Sequence, residues 1–336
     1  MTREISLAVV GATGLVGEAL LEQLAESGLA LGAVHAVASA ESAGKRIEFG
    51  DRLLKVSALD DFDFSSVEMA LFAVPPAVSA ARARRAAEQG CRVLDLSGVW
   101  LADPSVPVWS AGVPDVDEDL AHHRLVSVLT GPAAIVAEVL AALEDLSPVQ
   151  ASCTSLQPAS AGGRALLEDL ARQTARLLNS QDPEPQLFPA QAAFSVLATG
   201  SAGLGSATLA PAQSLETGVR RLAPLAGVEV MAQSAWVPAF YGASVALEVG
   251  FAGPVTAELA AQLLADAGLP AAGTEASREA RSLTADLPNQ RPLIGDLRVA
   301  GAMGTRLGCW IGFDNVRYGA ARKGVQIVEL LLKDYL

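Results

Sequence analysis

The chain has 336 residues, of which 51% are hydrophobic, 18% charged and 5% aromatic. This composition excludes a disordered chain, and the length predicts about two domains of roughly 100–200 residues each. Because 37 acidic side chains outnumber 24 basic ones, the net charge is -13, which argues against a nucleic-acid-binding surface.

The first third of the chain alternates between short apolar runs and segments with helical spacing. We predict strands at residues 5–10, 34–38, 69–74 and 92–96, and helices at residues 18–27 and 78–89. Strands that alternate with helices of this length are typical of βαβ units around a parallel sheet. This part of the chain is therefore predicted to form an α/β domain.

A glycine-rich turn, GATGLVG at residues 11–17, follows the first predicted strand. Glycines at this spacing allow a tight turn, a close approach to a pyrophosphate and close packing of helix on strand. The N–H groups and the positive end of the next helix favour an anion. The alternative is a turn that needs small residues and binds no ligand. The preferred interpretation predicts cofactor contacts from Gly11, Thr13, Gly14, Leu15 and Val16.

The remaining two thirds of the chain mix helices and strands. Pro132 fits the first position of a helix over residues 133–146, because its missing N–H costs little there, and Thr130 or Gly131 is the expected cap. Alternating patterns at 228–237 and 244–251 predict antiparallel strands with one covered face. We further predict a strand from residue 149, helices at 162–178, 255–267 and 325–336, and a small-residue loop at 203–213.

The three cysteines, Cys91, Cys153 and Cys309, show no CxxC spacing. A disulfide framework or a metal cluster is therefore not expected, and a reducing cytoplasm is the expected location. Two uncharged stretches, 186–215 and 230–247, are interrupted by prolines or glycines, so neither provides the ~20 apolar residues of a membrane span. The sequence predicts no bound metal, no membrane partner and no nucleic-acid partner.

Several chemically reactive side chains have a structural interpretation that we favour. Adjacent histidines do not share a helical face, so His122 and His123 indicate a solvated loop rather than a metal site. Strand packing is favoured over catalysis for Cys153, since cysteine is among the more commonly buried residue types. An exposed helix face is favoured over phosphate binding for Arg82, Arg84 and Arg85.

Four separated motifs resemble the aspartate-semialdehyde dehydrogenase family, in the family's order along nearly the whole chain. They are residues 11–17, ASAESAGK at 38–45, QPASAGG at 157–163 and WIGFDNVRYGA at 310–320. Within the family the chain resembles the divergent Usg group. The resemblance implies a Rossmann-like NAD(P)-binding domain at residues 1–128 and 310–336, an α+β dimerisation and substrate domain at 129–309, and a homodimer.

The resemblance also implies a chemistry, the reversible NADP- and phosphate-dependent conversion between aspartyl phosphate and the semialdehyde. In the family a cysteine at a helix start attacks the carbonyl group as a thiolate, and a histidine handles the proton. Arginines hold the carboxylate and phosphate of the substrate.

This sequence departs from the family at those positions. Pro132, or Gly131 with a one-residue slip, stands at the cysteine position, and Ala243 at the histidine position. Two arginine positions hold Trp236 and Leu101. The family's glutamine is retained as Gln157, and the three histidines of the chain all lie at or before residue 123. We therefore expect no catalytic residues and no family reaction.

The cofactor contacts are predicted to continue at Ser39, Glu41 and Asn315. The family often has an arginine that holds the 2′-phosphate of NADP where this chain has Glu41. A carboxylate repels that phosphate but hydrogen-bonds a ribose hydroxyl, so NAD is favoured over NADP. Prolines in the loop 73–76 remove backbone N–H donors beside the nucleotide. Asn315 lies between Asp314 and Arg317 in a segment that meets the cofactor in the family.

Three hypotheses for the function remain open. The preferred one is a dimeric homologue that keeps the fold and a nucleotide crevice, without thiol-based aldehyde chemistry, and that acts through binding, regulation or association. The second is an NAD-dependent oxidoreductase that acts on another small aldehyde or acid derivative without a covalent thioester. The third is a structural subunit that pairs with a catalytically active aspartate-semialdehyde dehydrogenase.

Overall fold

Two large sheets with packed helices dominate the computed structural model, which describes residues 4–114, 120–199, 209–271 and 291–334. The strands are β1 (Ile5–Val10), β2 (Leu31–Ala38), β3 (Arg46–Phe49), β4 (Arg52–Lys55), β5 (Ser57–Ala58), β6 (Met69–Phe72), β7 (Arg92–Asp95), β8 (Val108–Trp109), β9 (Leu125–Val128), β10 (Pro148–Gln157), β11 (Leu197–Ala198), β12 (Glu229–Trp236), β13 (Ala243–Phe251), β14 (Leu293–Ala300) and β15 (Arg306–Phe313). The helices are α1 (Leu15–Glu26), α2 (Pro76–Glu88), α3 (Gly131–Ala142), α4 (Arg164–Leu178), α5 (Pro211–Arg220), α6 (Ala257–Asp266) and α7 (Arg322–Asp334).

The first sheet is parallel and has the order β5-β2-β1-β6-β7-β9-β8. Strand β1, third in this order, is buried on both faces, and each side chain from Leu7 to Val10 is 0% exposed, as expected for a parallel sheet covered on both sides. The chain runs from β1 to β2 on one side and later to β6 on the other. The strand order therefore reverses at β1, and ligands bind such sheets at the carboxyl ends of the strands beside this reversal. The predicted α/β domain is confirmed.

The second sheet is mixed and has the order β11-β12-β10-β13-β15-β14. The antiparallel strands predicted at residues 228–237 and 244–251 are found as β12 and β13, which run in opposite directions on either side of β10. Strand β12 runs parallel to β10 and β13 runs antiparallel to it. Alternation of apolar residues identifies a covered face but not a strand's neighbour or direction. The covered face itself is found, with Val230, Val245 and Leu247 buried.

Two helices begin earlier than predicted because local turns start them. Helix α1 begins at Leu15 rather than residue 18, directly after the glycine turn. Helix α7 begins at Arg322 rather than residue 325, after a π-helical turn over Arg317–Ala321. The side chain of Asp314 starts that turn, since its Oδ1 accepts hydrogen bonds from the N–H groups of Val316 and Arg317, each at 2.8 Å.

A third helix, α5, begins at Pro211 inside the predicted small-residue loop 203–213. The N–H of Ala210 donates to Oε1 of Gln213 at 3.3 Å and so caps the first turn. Residues 203–208 of the predicted loop lie outside the described residues. Helix α3 begins as predicted near Pro132, but the Thr130 side chain makes no capping hydrogen bond; its hydroxyl donates instead to the carbonyl of Leu96 at 3.4 Å.

The chain crosses between the two sheets twice. It leaves the first sheet after β9 and enters the second through α3, and it returns after β15 into α7. The predicted domain division at residue 310 cuts through β15, which pairs with β13 up to Phe313. We therefore propose that the first domain resumes after Phe313, and the division near residue 128, where β9 ends, stays a prediction.

A buried ion pair joins the two crossings. Lys323 of α7 is 0% exposed, and its ammonium contacts the carboxylate of Glu138 on α3. The Tyr318 hydroxyl donates to the same carboxylate at 3.1 Å, and the Lys323 ammonium lies 3.9 Å from the centre of the Tyr318 ring. Burial raises the pKa of Glu138 and lowers the pKa of Lys323, and their mutual attraction opposes both shifts. The pair therefore holds α3 and α7 together from the interior.

We expect Lys323→Met to lower the free energy of unfolding by about 3–5 kcal/mol, because it leaves the Glu138 carboxylate buried without its counter-charge. Adding Glu138→Gln should restore most of the loss, since the amide removes the unpaired charge and still accepts the Tyr318 hydroxyl. Denaturant-induced unfolding of the two variants measures this. A double variant no more stable than Lys323→Met would contradict the assignment.

Candidate functional site

Two close contacts between backbone segments require glycine in the turn at the end of β1. Gly11 has φ +87, and a Cβ atom added to it would lie 2.2 Å from the carbonyl oxygen of Ala73, which follows β6. A Cβ atom on Gly17 would lie 2.1 Å from the carbonyl oxygen of Gly11. The turn therefore holds α1 against β1 and brings the loop after β6 directly onto the glycines, as the GATGLVG spacing predicts.

The first turn of α1 presents backbone N–H groups at the carboxyl end of β1. Gly14 is the N-cap residue in an extended conformation, and it supplies no side-chain cap. Helix geometry leaves the N–H groups of Leu15, Val16 and Gly17 without an acceptor inside the helix. These N–H groups and the positive end of the helix favour a phosphate group. The turn thus fits the pyrophosphate of a nucleotide.

The carboxyl end of β2 adds polar side chains beside the turn. Ser39 and Glu41 are exposed at a short helical turn over Ala40–Ser42. The Thr13 hydroxyl donates to the Ser42 hydroxyl at 3.3 Å and so joins the glycine turn to this segment. The structure therefore brings Thr13, Ser39 and Glu41 to one edge of the sheet.

The opposite side of the turn, after β6, has few hydrogen-bond donors. Pro75 and Pro76 carry no N–H, and Pro76 is the first residue of α2. The Val74 side chain lies 3.0 Å from where a Cβ atom on Gly11 would sit. Farther along, the N–H and hydroxyl of Ser97 donate to the buried carboxylate of Asp95. Burial raises the pKa of Asp95 to about 6.

Asn315, predicted as a cofactor contact, uses its side-chain oxygen inside the protein. It accepts hydrogen bonds from the Ser160 hydroxyl at 3.1 Å and from the Gly242 N–H at 3.2 Å. Asn315 thereby joins the returning chain to the second domain, and a contact to a nucleotide stays a prediction. Its neighbour Arg317 pairs with Glu22 of α1 at 2.7 Å.

The positions that the resemblance assigns to the family's arginines and histidine hold packed apolar side chains. Leu101 is 3% exposed and belongs to the core cluster of the second domain. Ala243, at the start of β13, is 0% exposed. The Trp236 ring packs edge-to-face against Phe188 with 5.7 Å between ring centres. Gln157 is buried at the end of β10, directly opposite Trp236 in the parallel register.

One apolar cluster connects this region to the nucleotide turn. Phe188, Ala159 and neighbouring residues form its core, and both Leu15 and Trp236 pack against it. Leu15 is the first residue of α1, so the cluster reaches the end of the helix that follows the glycine turn. The sequence gives no sign of this contact, because the members of the cluster come from residue 15, residues 159–197 and residue 236, which are distant along the chain.

The three cysteines are free thiols inside the protein. Cys153 and Cys309 lie within β10 and β15, and Cys91 directly precedes β7. Each thiol is buried, and burial raises the pKa of each to about 12. The preferred structural interpretation of Cys153 therefore agrees with its surroundings.

One histidine and two arginines of α2 contact other side chains of the protein. His35 lies in β2 with its ring 5.6 Å from that of Phe62, and His122 is exposed in a short helical turn. Two arginines of α2 form ion pairs, Arg82 with Asp60 and Arg84 with Asp103. Within the described ranges no group of three His, Cys, Asp or Glu side chains is arranged to hold a metal ion.

A clamp between the domains was not predicted. The guanidinium of Arg221, after α5, donates to the carbonyl groups of Leu101, Asp103 and Val106 at 3.1, 2.7 and 2.5 Å. It therefore fixes the turn that carries Leu101. The sequence around Arg221 does not indicate that its acceptors lie more than a hundred residues earlier in the chain.

A parallel nucleotide-binding sheet joined to a mixed sheet by α3 and α7 defines a two-domain dehydrogenase class. Two family models match the chain: "Semialdehyde dehydrogenase, NAD binding domain" matches residues 6–123, and "Semialdehyde dehydrogenase, dimerisation domain" matches residues 140–318. The chain therefore belongs to the semialdehyde dehydrogenase family, with the NAD-binding domain first and the dimerisation domain second. The dimerisation domain supports a homodimer.

Similar proteins cover the whole chain. A USG-1 protein homolog of Pseudomonas aeruginosa is 36% identical, and aspartate-semialdehyde dehydrogenase 2 of Vibrio cholerae is 30% identical, each over 100% of both chains. The structure of a probable aspartate-semialdehyde dehydrogenase from Pseudomonas aeruginosa has a TM-score of 0.89 at 36% identity, covering 99% of this chain and 100% of that one. Aspartate semialdehyde dehydrogenase II of Vibrio cholerae, complexed with ASA, has a TM-score of 0.90 at 27% identity with the same coverage.

These relatives confirm the resemblance to the family and its Usg group, as well as the predicted fold class. Among the described residues, no helix combines the length and the apolar character needed to cross a membrane.

We expect Gly11→Ala to destabilise the protein by at least about 2 kcal/mol more than Gly28→Ala, because crowding adds to the backbone cost. Gly28 is the matched control: its φ is +68, and an added Cβ atom would meet nothing within 4 Å. Both alanines bear the cost of a left-handed conformation, and only Gly11→Ala also meets the Ala73 carbonyl. Urea unfolding measures the difference, and equal losses would contradict the close approach.

Proposed function

We propose that this chain is a member of the semialdehyde dehydrogenase family that keeps nucleotide binding and dimerisation and does not carry out thiol-based aldehyde chemistry. The observation that carries the proposal is the placement of the three cysteines. All three are buried in or beside strands with a pKa raised to about 12. Helix α3 begins instead with Gly131 and Pro132.

The chemistry of the family reaction needs what this site lacks. A thiolate, rather than a thiol, attacks the carbonyl group, and helix starts and nearby cations favour that charged form. Thiols with a pKa of about 12 are almost entirely protonated at neutral pH. The histidines lie elsewhere as well, because His35, His122 and His123 all precede α3 along the chain.

The second hypothesis, hydride transfer without a thioester, has less support. It still needs space for a substrate beside the nucleotide, and Trp236 packs with Phe188 in that region. It also needs a group that binds or protonates a small aldehyde. The arginine and histidine positions of the family hold buried or packed apolar side chains instead.

Dimerisation is supported by the open face of the second sheet. Its strand register places Met231, Ser152 and Glu248 in one row, and Gln233, Thr154, Ala246 and Trp310 in the next. Met231 is 60% and Trp310 39% exposed, whereas the opposite face is buried against helices. A second copy of the chain would cover these side chains, and the same face would serve the third hypothesis, pairing with a catalytically active homologue.

We expect the purified protein to give no phosphate-dependent NADP reduction with aspartate semialdehyde, because removing a nucleophile or its base lowers rates by about 10⁴–10⁶. A variant with Pro132→Cys, Ala243→His and Trp236→Arg should regain a reactive thiol at the start of α3, which iodoacetamide alkylates faster than any thiol of the unmodified protein, because a helix start favours the thiolate.

The matched control for this variant replaces cysteine with serine at residue 132 and keeps the other two changes. It should not be alkylated at residue 132, because a hydroxyl is a far weaker nucleophile than a thiolate. Absorbance at the nicotinamide band follows NADP reduction by the unmodified protein, and mass spectrometry locates the alkylated residue in the variants. Robust turnover by the unmodified protein would refute the proposal.

For the retained nucleotide we favour NAD over NADP on the basis of Glu41. Its carboxylate is exposed at the end of β2, beside Ser39, where it would accept from a ribose hydroxyl and repel a 2′-phosphate. Glu41→Arg should shift the preference toward NADP by at least about tenfold, since charge-assisted hydrogen bonds to phosphate are strong. Titration calorimetry with both dinucleotides measures the change.

Glu41→Gln is the control for this substitution. It removes the charge without adding a cation, so it should reduce the discrimination against NADP and not reverse it. If the unmodified protein binds NADP more tightly than NAD, the role of Glu41 is wrong.

A further inference from the structure

We infer that the nucleotide site of this protein binds the adenosine diphosphate half of a dinucleotide and makes no productive contacts with the nicotinamide half. The inference rests on the proposed retention of nucleotide binding and names the chemical class of ligand: adenosine diphosphates such as ADP-ribose, with or without a nicotinamide attached. It follows from a difference between the two sides of the strand-order reversal at β1.

A dinucleotide lies across such a reversal, with its pyrophosphate at the glycine turn and its two nucleosides on opposite sides. In the first sheet the two sides are the carboxyl ends of β2 and of β6 with β7, because β1 lies between β2 and β6. The adenosine side follows β2, where an acidic residue reads the ribose in this fold. The nicotinamide side therefore follows β6 and β7.

The β2 side is open and carries groups suited to a nucleoside. Ser39 and Glu41 are exposed, and the hydroxyls of Thr13 and Ser42 meet at 3.3 Å between this segment and the glycine turn. Hydroxyls and a carboxylate can accept from ribose hydroxyls, while the N–H groups at the start of α1 suit the phosphates.

The β6 and β7 side has few donors left to offer. Pro75 and Pro76 have no N–H, and the loop before them is pressed against Gly11 by the close approach of Ala73 and Val74. At the end of β7, the Ser97 hydroxyl lies 2.8 and 2.9 Å from the two carboxylate oxygens of Asp95, and its N–H donates to the same group at 3.2 Å. The donors of Ser97 are thus committed to a buried carboxylate.

The second domain closes the same side with apolar surface. Trp236, Phe188 and Leu15 share one packed cluster that runs from the end of β12 to the first residue of α1. A carboxamide group needs hydrogen-bond partners when it is buried, and this cluster supplies none. The polar groups that suit a nucleotide are therefore those of the β2 side and of the glycine turn, which would hold the adenosine and the pyrophosphate.

Saturation-transfer NMR with NAD and the full-length protein tests the inference directly. Irradiating protein protons should transfer saturation to the adenine and adenosine-ribose protons and leave the nicotinamide protons near background. In calorimetry, ADP-ribose and NAD should bind with dissociation constants within about threefold of each other, since equal contacts give equal affinities.

Two variants test which side of the glycine turn contributes contacts to the ligand. Ser39→Ala should weaken ADP-ribose and NAD by the same factor, about fivefold for one lost hydrogen bond. Trp236→Ala should change the affinity for neither ligand by more than about twofold, because the ring packs within the protein and does not stack on nicotinamide.

Saturation of the nicotinamide protons, NAD binding at least about tenfold tighter than ADP-ribose, or selective weakening of NAD by Trp236→Ala would overturn the inference and leave the proposed nucleotide binding intact. Absence of saturation on any nucleotide proton would instead overturn the proposed nucleotide binding, and this inference with it. The two failures are therefore distinguishable in one set of measurements.

Discussion

The contact between Lys323 and Glu138 is the constraint on which the arrangement of the two domains depends. Helix α3 is the first element after the chain leaves the parallel sheet, and α7 is the first helix after it returns. Both charged groups are buried, and desolvating two charges is costly unless they are paired and hydrogen-bonded. Any relative movement of the helices would separate them in a low-dielectric interior. Tyr318 adds a hydroxyl donor and an aromatic ring to the same pair. The three side chains together fix the position of α7 relative to α3.

The segment from Asp314 to Lys323 extends this constraint to the edge of the candidate site. Asp314 starts the π-helical turn, Asn315 holds Ser160 and Gly242, and Arg317 pairs with Glu22 of α1. The helix whose first turn faces the nucleotide crevice is thereby tied to the second domain by the protein's own groups. The orientation of the domains does not need a bound nucleotide to define it. This explains why a segment that the sequence places at the cofactor also serves as the connection between the sheets.

Physical signals of short range made much of the first domain predictable. An apolar run, three glycines and a helical pattern within residues 5–27 define the first strand, the turn and the helix, and the close approaches at Gly11 and Gly17 show why the turn residues must be small. Longer-range features left no such signal. The alternation in β12 and β13 could not reveal that β10 lies between them, and nothing in the sequence next to Lys323 indicates that this lysine is buried against Glu138. The burial of Leu101 in the second domain's core, fixed by Arg221, depends on segments more than a hundred residues apart.

The residues found at the family's substrate positions also make physical sense as a set. A cysteine, a histidine and arginines are maintained by a substrate that supplies their charge and hydrogen-bond partners; without one, those polar groups would be costly to bury. Leucine in a core, alanine in a buried strand and tryptophan against phenylalanine instead contribute apolar packing. Active-site groups commonly reduce stability in exchange for function, so under the proposed loss of the family reaction their replacement by apolar groups would stabilise the scaffold. The glycine turn and the polar end of β2 show no comparable replacement by packed apolar groups. That contrast within one chain supports the proposal that the nucleotide side keeps a binding role and that the substrate side no longer serves the family's chemistry.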